Sequence, residues 1–437
     1  MNAVQSPDVP TYAVPDRNLV PVSDHLASLA PIPPSRMFLI NKSLKVYTEH
    51  NPDSPVFDAS QGDGGASLPG TPREILERAA QLQIEHGTAY DMPYGTDAFR
   101  KLVIENYWQL DPGLGYGPAN VIGTAGGRDA LVKAYQAMLA LGHGRQGDLL
   151  VVSRVPWISY NWGPYGIGAN VLWAPGYPQD GWAYTEEALQ CCVDFAARSG
   201  RKVAGLVITC PDNPTGLTIS PERQAALAKA ALRAGIAFVL FDWMYHYVTD
   251  GQPMNLNQFL QFFDQAERPR LVFLDGITKS LGASNVRNCH LIASDEVSKF
   301  IVARASHNVM PSFYSIAVAM AAYEIGYRAA SRSIVEPTNA SRVVLKDFLD
   351  RNGFTYILGK GYYAFIRVSR WLEAAGWEDS EPIGQYLAEQ HGVAVVPGAF
   401  FSPYGGEWIR FSYATPPERT LGAAQRFLEG LNALDAN

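Results

Sequence analysis

From about Thr71 onward the apolar positions follow two alternating patterns. Leu131, Ala134, Tyr135, Met138 and Leu139 recur at helical spacing behind Gly126-Gly127, which predicts a helix there. Thr71-Pro72-Arg73-Glu74 offers an N-cap and a proline at the first helical position, so a helix is expected to about Glu85, and another from about Thr96 to Tyr107. Other segments are short and continuously apolar: DLLVV (148–152), VLWA (171–174), VAGLVITC (203–210), AFVLFD (237–242) and RLVFLDG (270–276). Parallel strands covered on both faces require that pattern. Helices expected at Thr185–Ala197 and Pro221–Ala234 alternate with them, which argues for a doubly wound α/β domain. Beyond Pro311 the order changes. Two helical stretches reach Leu349; then FTYIL, YYAFIRV, VAVV and WIRFSYA interleave with helices near Ile383–Gln390 and from Pro417, a smaller α+β unit. Residues 1 to about 35 are rich in proline and read as an extended arm with one short helix near Asp24–Leu29.

Composition narrows the class. A chain of 437 residues with 47% hydrophobic and 18% charged positions is not disordered. No apolar run approaches the roughly 18–20 residues that span a bilayer. The first residues carry neither the basic nor the apolar region of a secretory signal, so a cytoplasmic location is expected. The net charge of −7 and the absence of a basic block argue against nucleic acid as a partner. Cys191, Cys192, Cys210 and Cys289 show no CxxC and no zinc-type spacing, so neither a disulfide framework nor a metal is expected.

Ligands of open α/β sheets bind beyond the carboxyl ends of the strands. VITC is followed by Pro211-Asp212-Asn213-Pro214-Thr215-Gly216, AFVLF by Asp242-Trp243-Met244-Tyr245, and VFLDG by Ile277-Thr278-Lys279-Ser280. Each has an ordinary reading: Asn-Pro and Gly make turns, and a lysine reaches solvent. An acid ending a buried strand is costly unless paired, however, and suits a cationic ring nitrogen. Gly126-Gly127-Arg128 at a helix start suits an anion, and Arg287 adds a cation or makes a surface ion pair. Together these are the parts that hold a phosphorylated pyridine aldehyde on a lysine.

These motifs, in this order, resemble the class I/II aminotransferases, fold-type I enzymes dependent on pyridoxal 5′-phosphate (PLP); the similarity covers roughly residues 55 to 430. The resemblance implies a large, mostly parallel doubly wound domain at 71–315, a small α+β domain at 316–437, and a segment 1–70 that is arm and part of the small domain. DNPTG at 212–216 matches the family's NPTG, so Asn213 is expected on the cofactor's phenolic oxygen. Asp242 and Tyr245 match its D-x-x-Y, pairing with the ring nitrogen and the phenolic oxygen. Lys279 matches the Schiff-base lysine and proton shuttle. Arg287, Thr278 and the Gly126-Gly127-Arg128 turn fall at the phosphate, Trp157 where an aromatic stacks on the ring, and Arg410 at the substrate α-carboxylate. Tyr90 resembles the tyrosine that reaches a neighbouring subunit's phosphate, which implies a homodimer. The activity implied is transfer of an α-amino group from an amino acid to a 2-oxo acid.

Three departures bear on the reaction. Gly276 stands three residues before Lys279, where the family commonly has serine; Arg287-Asn288-Cys289-His290 lacks the usual glycine after the phosphate arginine; and Trp243-Met244 replaces the common Glu-Ala. They leave open an alternative on the same scaffold: a PLP-dependent lyase, a γ-replacement or cyclising enzyme, or an oxidase. A third reading, a non-catalytic ligand sensor, lacks the helix-turn-helix that would precede it. Asn41, Lys42 and Gly62–Gly65 are candidates to approach the site from the arm; Gly62–Gly65 also reads as a plain surface turn.

Overall fold

The computed structural model describes residues 21–22, 32–142, 145–249 and 253–435; the helix expected at Asp24–Leu29 lies outside them. The first strand, β1 (Phe57–Asp58), belongs to the small domain. The next seven build one sheet: β2 (Val121–Thr124), β3 (Leu149–Val152), β4 (Asn170–Trp173), β5 (Val203–Thr209), β6 (Phe238–Asp242), β7 (Leu271–Gly276) and β8 (Cys289–Ala293). Their spatial order is β2-β8-β7-β6-β5-β3-β4. β3 to β7 run parallel, and β8 is antiparallel to both its neighbours. The five expected strands are the parallel ones. β2 and β8 escape an apolar-run criterion because Gly123, Thr124 and His290 interrupt them.

Helices cover both faces, as the continuous apolar strands demand. Gly127–Gly142 packs against the β5, β7 and β8 side, while Arg73–His86 and Phe313–Glu324 lie together on the other. Hydroxyl caps set several starts: Thr96 accepts from the Phe99 N–H, Ser220 from Arg223 and Ser294 from Val297. The helix expected over Thr96–Tyr107 is α-helical only for Asp97–Leu102 and continues as a π-helical turn, Val103–Tyr107, that ends on the buried Tyr107. Two helical stretches are expected between Pro311 and Leu349; Gly326, at φ 95°, interrupts them, and three helices form: Phe313–Glu324, Tyr327–Ala330 and Arg332–Arg351. Phe313–Glu324 crosses residue 315, and its side chains Ile316–Tyr323 lie in the core of the seven-stranded sheet.

The small domain contains β9 (Tyr356–Leu358), β10 (Tyr363–Arg367), β11 (Val393–Ala394), β12 (Val396–Pro397) and β13 (Trp408–Ser412). An antiparallel sheet runs β12-β13-β10-β9, and β1 pairs with β11 in parallel, Phe57 with Val393 and Asp58 with Ala394. Helices Arg332–Arg351 and Pro417–Asp435 cover this unit, and Met37–His50 packs on Ser380–His391. Met37–His50 buries only Ile40 and Tyr47, which is why its periodicity is weak in the sequence. Among the described residues no helix is long and apolar enough to cross a membrane.

Candidate active site

The carboxyl ends of β5, β6 and β7 meet the small sheet across a cavity of about 500 Å³. Ten of the residues that the resemblance assigns line it: Gly127, Arg128, Trp157, Asn213, Asp242, Tyr245, Thr278, Lys279, Arg287 and Arg410. Gly126 sits just behind, at φ 88°; a side-chain carbon there would fall 2.2 Å from the Arg287 Nη2, so only glycine lets the guanidinium lie over the turn. Gly127 opens a 16-residue helix whose first N–H groups have no intrahelical acceptor. With Thr278 and Arg287 they form a cradle for an anion. Tyr90 is 99% exposed and does not line this cavity.

Asp242 closes β6. Its Oδ2 accepts from the Tyr160 hydroxyl at 2.7 Å and its Oδ1 from the Met244 N–H at 3.0 Å. Burial pushes this carboxyl up to about 6, so a cation or a shared proton is what it lacks. Asn213 lies in a turn tied by Asp212, whose carboxylate accepts from the Thr215 hydroxyl at 2.6 Å. The Asn213 Oδ1 accepts from Arg410 Nη1 at 2.9 Å, which leaves its NH2 group as a donor. Arg410, buried on β13, also donates Nη2 to the Ser60 carbonyl at 2.8 Å, while its Nε has no partner among the described residues. Lys279 follows β7 and donates Nζ to the Gly62 carbonyl. The Tyr245 hydroxyl lies 3.0 Å from that of Tyr363, and burial raises Tyr245 well above its ordinary range.

The arm approaches differently from expectation. Asn41 and Lys42 are exposed on the helix Met37–His50, and Met37 reaches the cavity instead. Gly62 and Asp63 are part of the site and not a surface turn. Two contributors carry no signal in residue type, the carbonyls of Ser60 and Gly62; of the adjacent aromatics Tyr362 and Tyr363, which suit an apolar or aromatic substrate, Tyr363 is the one that lines the cavity. Tyr363 packs under Arg410, its ring centre 4.3 Å from the guanidinium carbon. A second, mostly apolar cavity of about 840 Å³ adjoins the first; Met37, Arg128, Leu131 and Ile158 line both.

The sequence profile of the class I and II aminotransferases matches residues 56–428. Aspartate aminotransferase of Geobacillus stearothermophilus is 24% identical over 358 residues, 82% of this chain and 87% of that one. Aspartate/prephenate aminotransferase of Thermus thermophilus is 25% identical over 362 residues, 82% of this chain and 87% of that one. Among solved structures, an aminotransferase from Mycobacterium tuberculosis superposes with a TM-score of 0.77 at 22% identity, covering 94% of this chain and all of the other. The Thermotoga maritima aspartate aminotransferase gives 0.75 at 22%, covering 92% and 98%. The chain belongs to the class I and II aminotransferases. Its chemistry is PLP-dependent transamination on a fold-type I scaffold; the lyase, cyclising and oxidase alternatives are not favoured.

The residues present fit that cofactor. A primary amine, Lys279, stands at the end of one strand, and a buried carboxylate short of a cation, Asp242, at the end of the next. A helix start flanked by Thr278 and Arg287 matches a phosphate.

Proposed function

We propose that Asp242 holds the ring nitrogen's proton, that the Asn213 NH2 and the Tyr245 hydroxyl donate to the ring oxygen, and that Gly126, Gly127, Thr278 and Arg287 hold the phosphate. Trp157 flanks the ring. Lys279 Nζ carries the cofactor and moves the proton to and from the substrate Cα. The cofactor, when bound, supplies an electron sink for the Cα–H bond. Arg410 grips the α-carboxylate through the donors that Asn213 and Ser60 leave it. The observation that carries this reading is the single cavity that Asp242, Lys279 and Arg410 share.

The donor has an apolar or aromatic side chain lodged in the 840 Å³ cavity. A dicarboxylic donor is the second reading. Arg128 favours it, a guanidinium set where the two cavities meet and 5.8 Å from the Trp157 ring centre. The partner subunit's Tyr90 completes the phosphate site in a homodimer; its full exposure here supports that. The large domain runs from about residue 71 through the helix ending at Glu324, and the small domain combines the segment before residue 71 with the chain after that helix.

The test adds single amino acids to the PLP-loaded protein without an oxo acid. Loss of the visible band once per site, with an equal amount of the donor's oxo acid formed, supports transamination. Comparing phenylalanine or leucine with aspartate separates the two substrate readings. Continued turnover with ammonia release refutes the assignment.

A further inference from the structure

Behind the cavity, on the opposite face of the central sheet, a set of polar side chains meets inside the apolar core. Asp242 pairs in register with Leu274 of β7, and Asp275 is the next residue. Alternation along the strand turns Asp275 away from the cavity, to the side of Phe273 and Ile277. It is 2% exposed.

The Asp275 Oδ2 accepts from the Tyr107 hydroxyl and from His246 Nε2, the latter at 2.7 Å. The His246 Nδ1 accepts the Met254 N–H at 2.9 Å. Nε2 is therefore the ring nitrogen that donates to Asp275. Burial first, and then Asp275, raise Tyr107 well above its ordinary range, so it keeps its proton. His290, opposite Asp275 in the β7–β8 register, accepts from Trp108 Nε1 at 2.9 Å, and burial lowers it to about 4, so it is neutral. Tyr247, Tyr323 and Tyr327 complete the surroundings, each held protonated by burial. The Asp275 Oδ1 has no partner, and no lysine or arginine bonds to this carboxylate among the described residues. Asp275 is thus a buried carboxylate that, among the described residues, accepts from a tyrosine and a histidine and faces no lysine or arginine.

We propose that Asp275 is a positioning residue for the cofactor: its fixed charge, held by Tyr107 and His246, stabilises the proton shared between Asp242 and the ring nitrogen. The proposal rests on the assignment of Asp242 to the ring nitrogen. Burial is the largest influence that raises Asp242 and Asp275 the next that raises it, while the larger hydrogen bonds from Tyr160 and the Met244 N–H lower it. His246 also follows Tyr245 directly, so one bond ties the Asp242–Tyr245 loop to the strand that leads into Lys279.

The unpartnered Oδ1 makes a clean variant available. Asp275→Asn, with its carbonyl oxygen at the Oδ2 position, keeps both hydrogen bonds and exchanges the charge for an NH2 at the Oδ1 position. The experiment follows the ring nitrogen of 15N-labelled PLP by NMR across pH in the loaded parent, Asp275→Asn, His246→Gln and Asp242→Asn. A unit charge one strand away, at an effective dielectric near 20, shifts such an equilibrium roughly tenfold. The Asp275→Asn midpoint is expected to fall by about one pH unit. His246→Gln, which keeps a neutral donor to Asp275, is expected to leave the midpoint in place, and Asp242→Asn to lose the proton at neutral pH. An unchanged midpoint in Asp275→Asn, with Asp242→Asn shifted, overturns the proposal. A ring nitrogen unmoved in Asp242→Asn instead refutes the Asp242 assignment beneath it. If Asp275→Asn does not fold, Asp275→Ser, smaller and uncharged, carries the same comparison.

Discussion

Gly276 and Cys289 face each other across the antiparallel pair β7–β8, and a side-chain carbon at 276 would stand 2.6 Å from the Cys289 Cα and 2.7 Å from its Sγ. Two departures from the family pattern are therefore one exchange. The residue three before the lysine has lost its side chain, and the residue two after the arginine has gained one. Thr278, whose hydroxyl lies 3.4 Å from that sulfur, occupies the same corner of the site. Gly276→Ser, which restores the common family residue, is expected to destabilise the protein by about 1–3 kcal/mol through overpacking. Adding Cys289→Gly should recover part of the loss, because the sulfur leaves but the backbone contact stays. Urea unfolding of the two single variants and the double variant gives the coupling.

The raised carboxyl of Asp242 makes a prediction about the cofactor-free protein. Its folded-state affinity for a proton, near pH 6, exceeds that of the unfolded chain. Stability on this account is full below the unfolded carboxylate range and falls as pH rises from about 4 to 6. Above pH 6 the charged form costs about 1–3 kcal/mol. Asp242→Asn should therefore make the apoprotein more stable than the parent at pH 7.5, and by much less at pH 4.5, while losing transamination. Denaturant unfolding at the two pH values reads both signs.

Arg410 shares its guanidinium between Asn213 and Ser60. Arg410→Lys keeps the charge and loses the paired geometry. A charge-assisted hydrogen bond contributes about 1.5–3 kcal/mol, so KM for the amino donor should rise roughly 10- to 100-fold, with a smaller change in kcat. Steady-state kinetics with the donor varied checks this. An equal fall in kcat at unchanged KM would show that Arg410 does not act in ground-state binding.

Gly62 is the point of the arm where added bulk would meet the site itself. A methyl there would fall 2.3 Å from the Tyr363 hydroxyl and 3.7 Å from Lys279 Nζ. Gly62→Ala should fold, since the tip of a tyrosine side chain can give way. It should also displace the Tyr245–Tyr363 contact and lower kcat about tenfold or more. Tyr363→Phe in the same background removes the clashing oxygen and should restore part of the rate. Melting curves alongside kcat separate local displacement from unfolding.

Asp242, Asn213, Tyr245 and Lys279 are legible in the sequence because each follows a run of four or more apolar residues, and such runs locate the buried parallel strands. β2 and β8 are not: Gly123 and His290 sit within them, and the pairing between the two joins distant parts of the chain. The helix Met37–His50 is hidden by its exposure, and the Ser60 and Gly62 contributions are backbone oxygens, which every residue type possesses. The face on which Asp275 lies follows only from its register beside Asp242. The 315/316 boundary is drawn on a change of pattern, whereas Ile316–Tyr323 pack by volume into the large core.

β1 pairs with β11, and just beyond β1 the Ser60 carbonyl receives Arg410 while that of Gly62 receives Lys279. A ribosome makes Asp58 long before its partner Ala394. The seven-stranded sheet is complete once Ala293 has emerged, with Asp242 and Lys279 already at its edge. The other wall of the pocket must wait for Val393 and Ala394. Synthesis of β11 is thus the event that lets this site close, and a nascent chain halted before Val393 carries Lys279 without the wall that Ser60 and Gly62 supply.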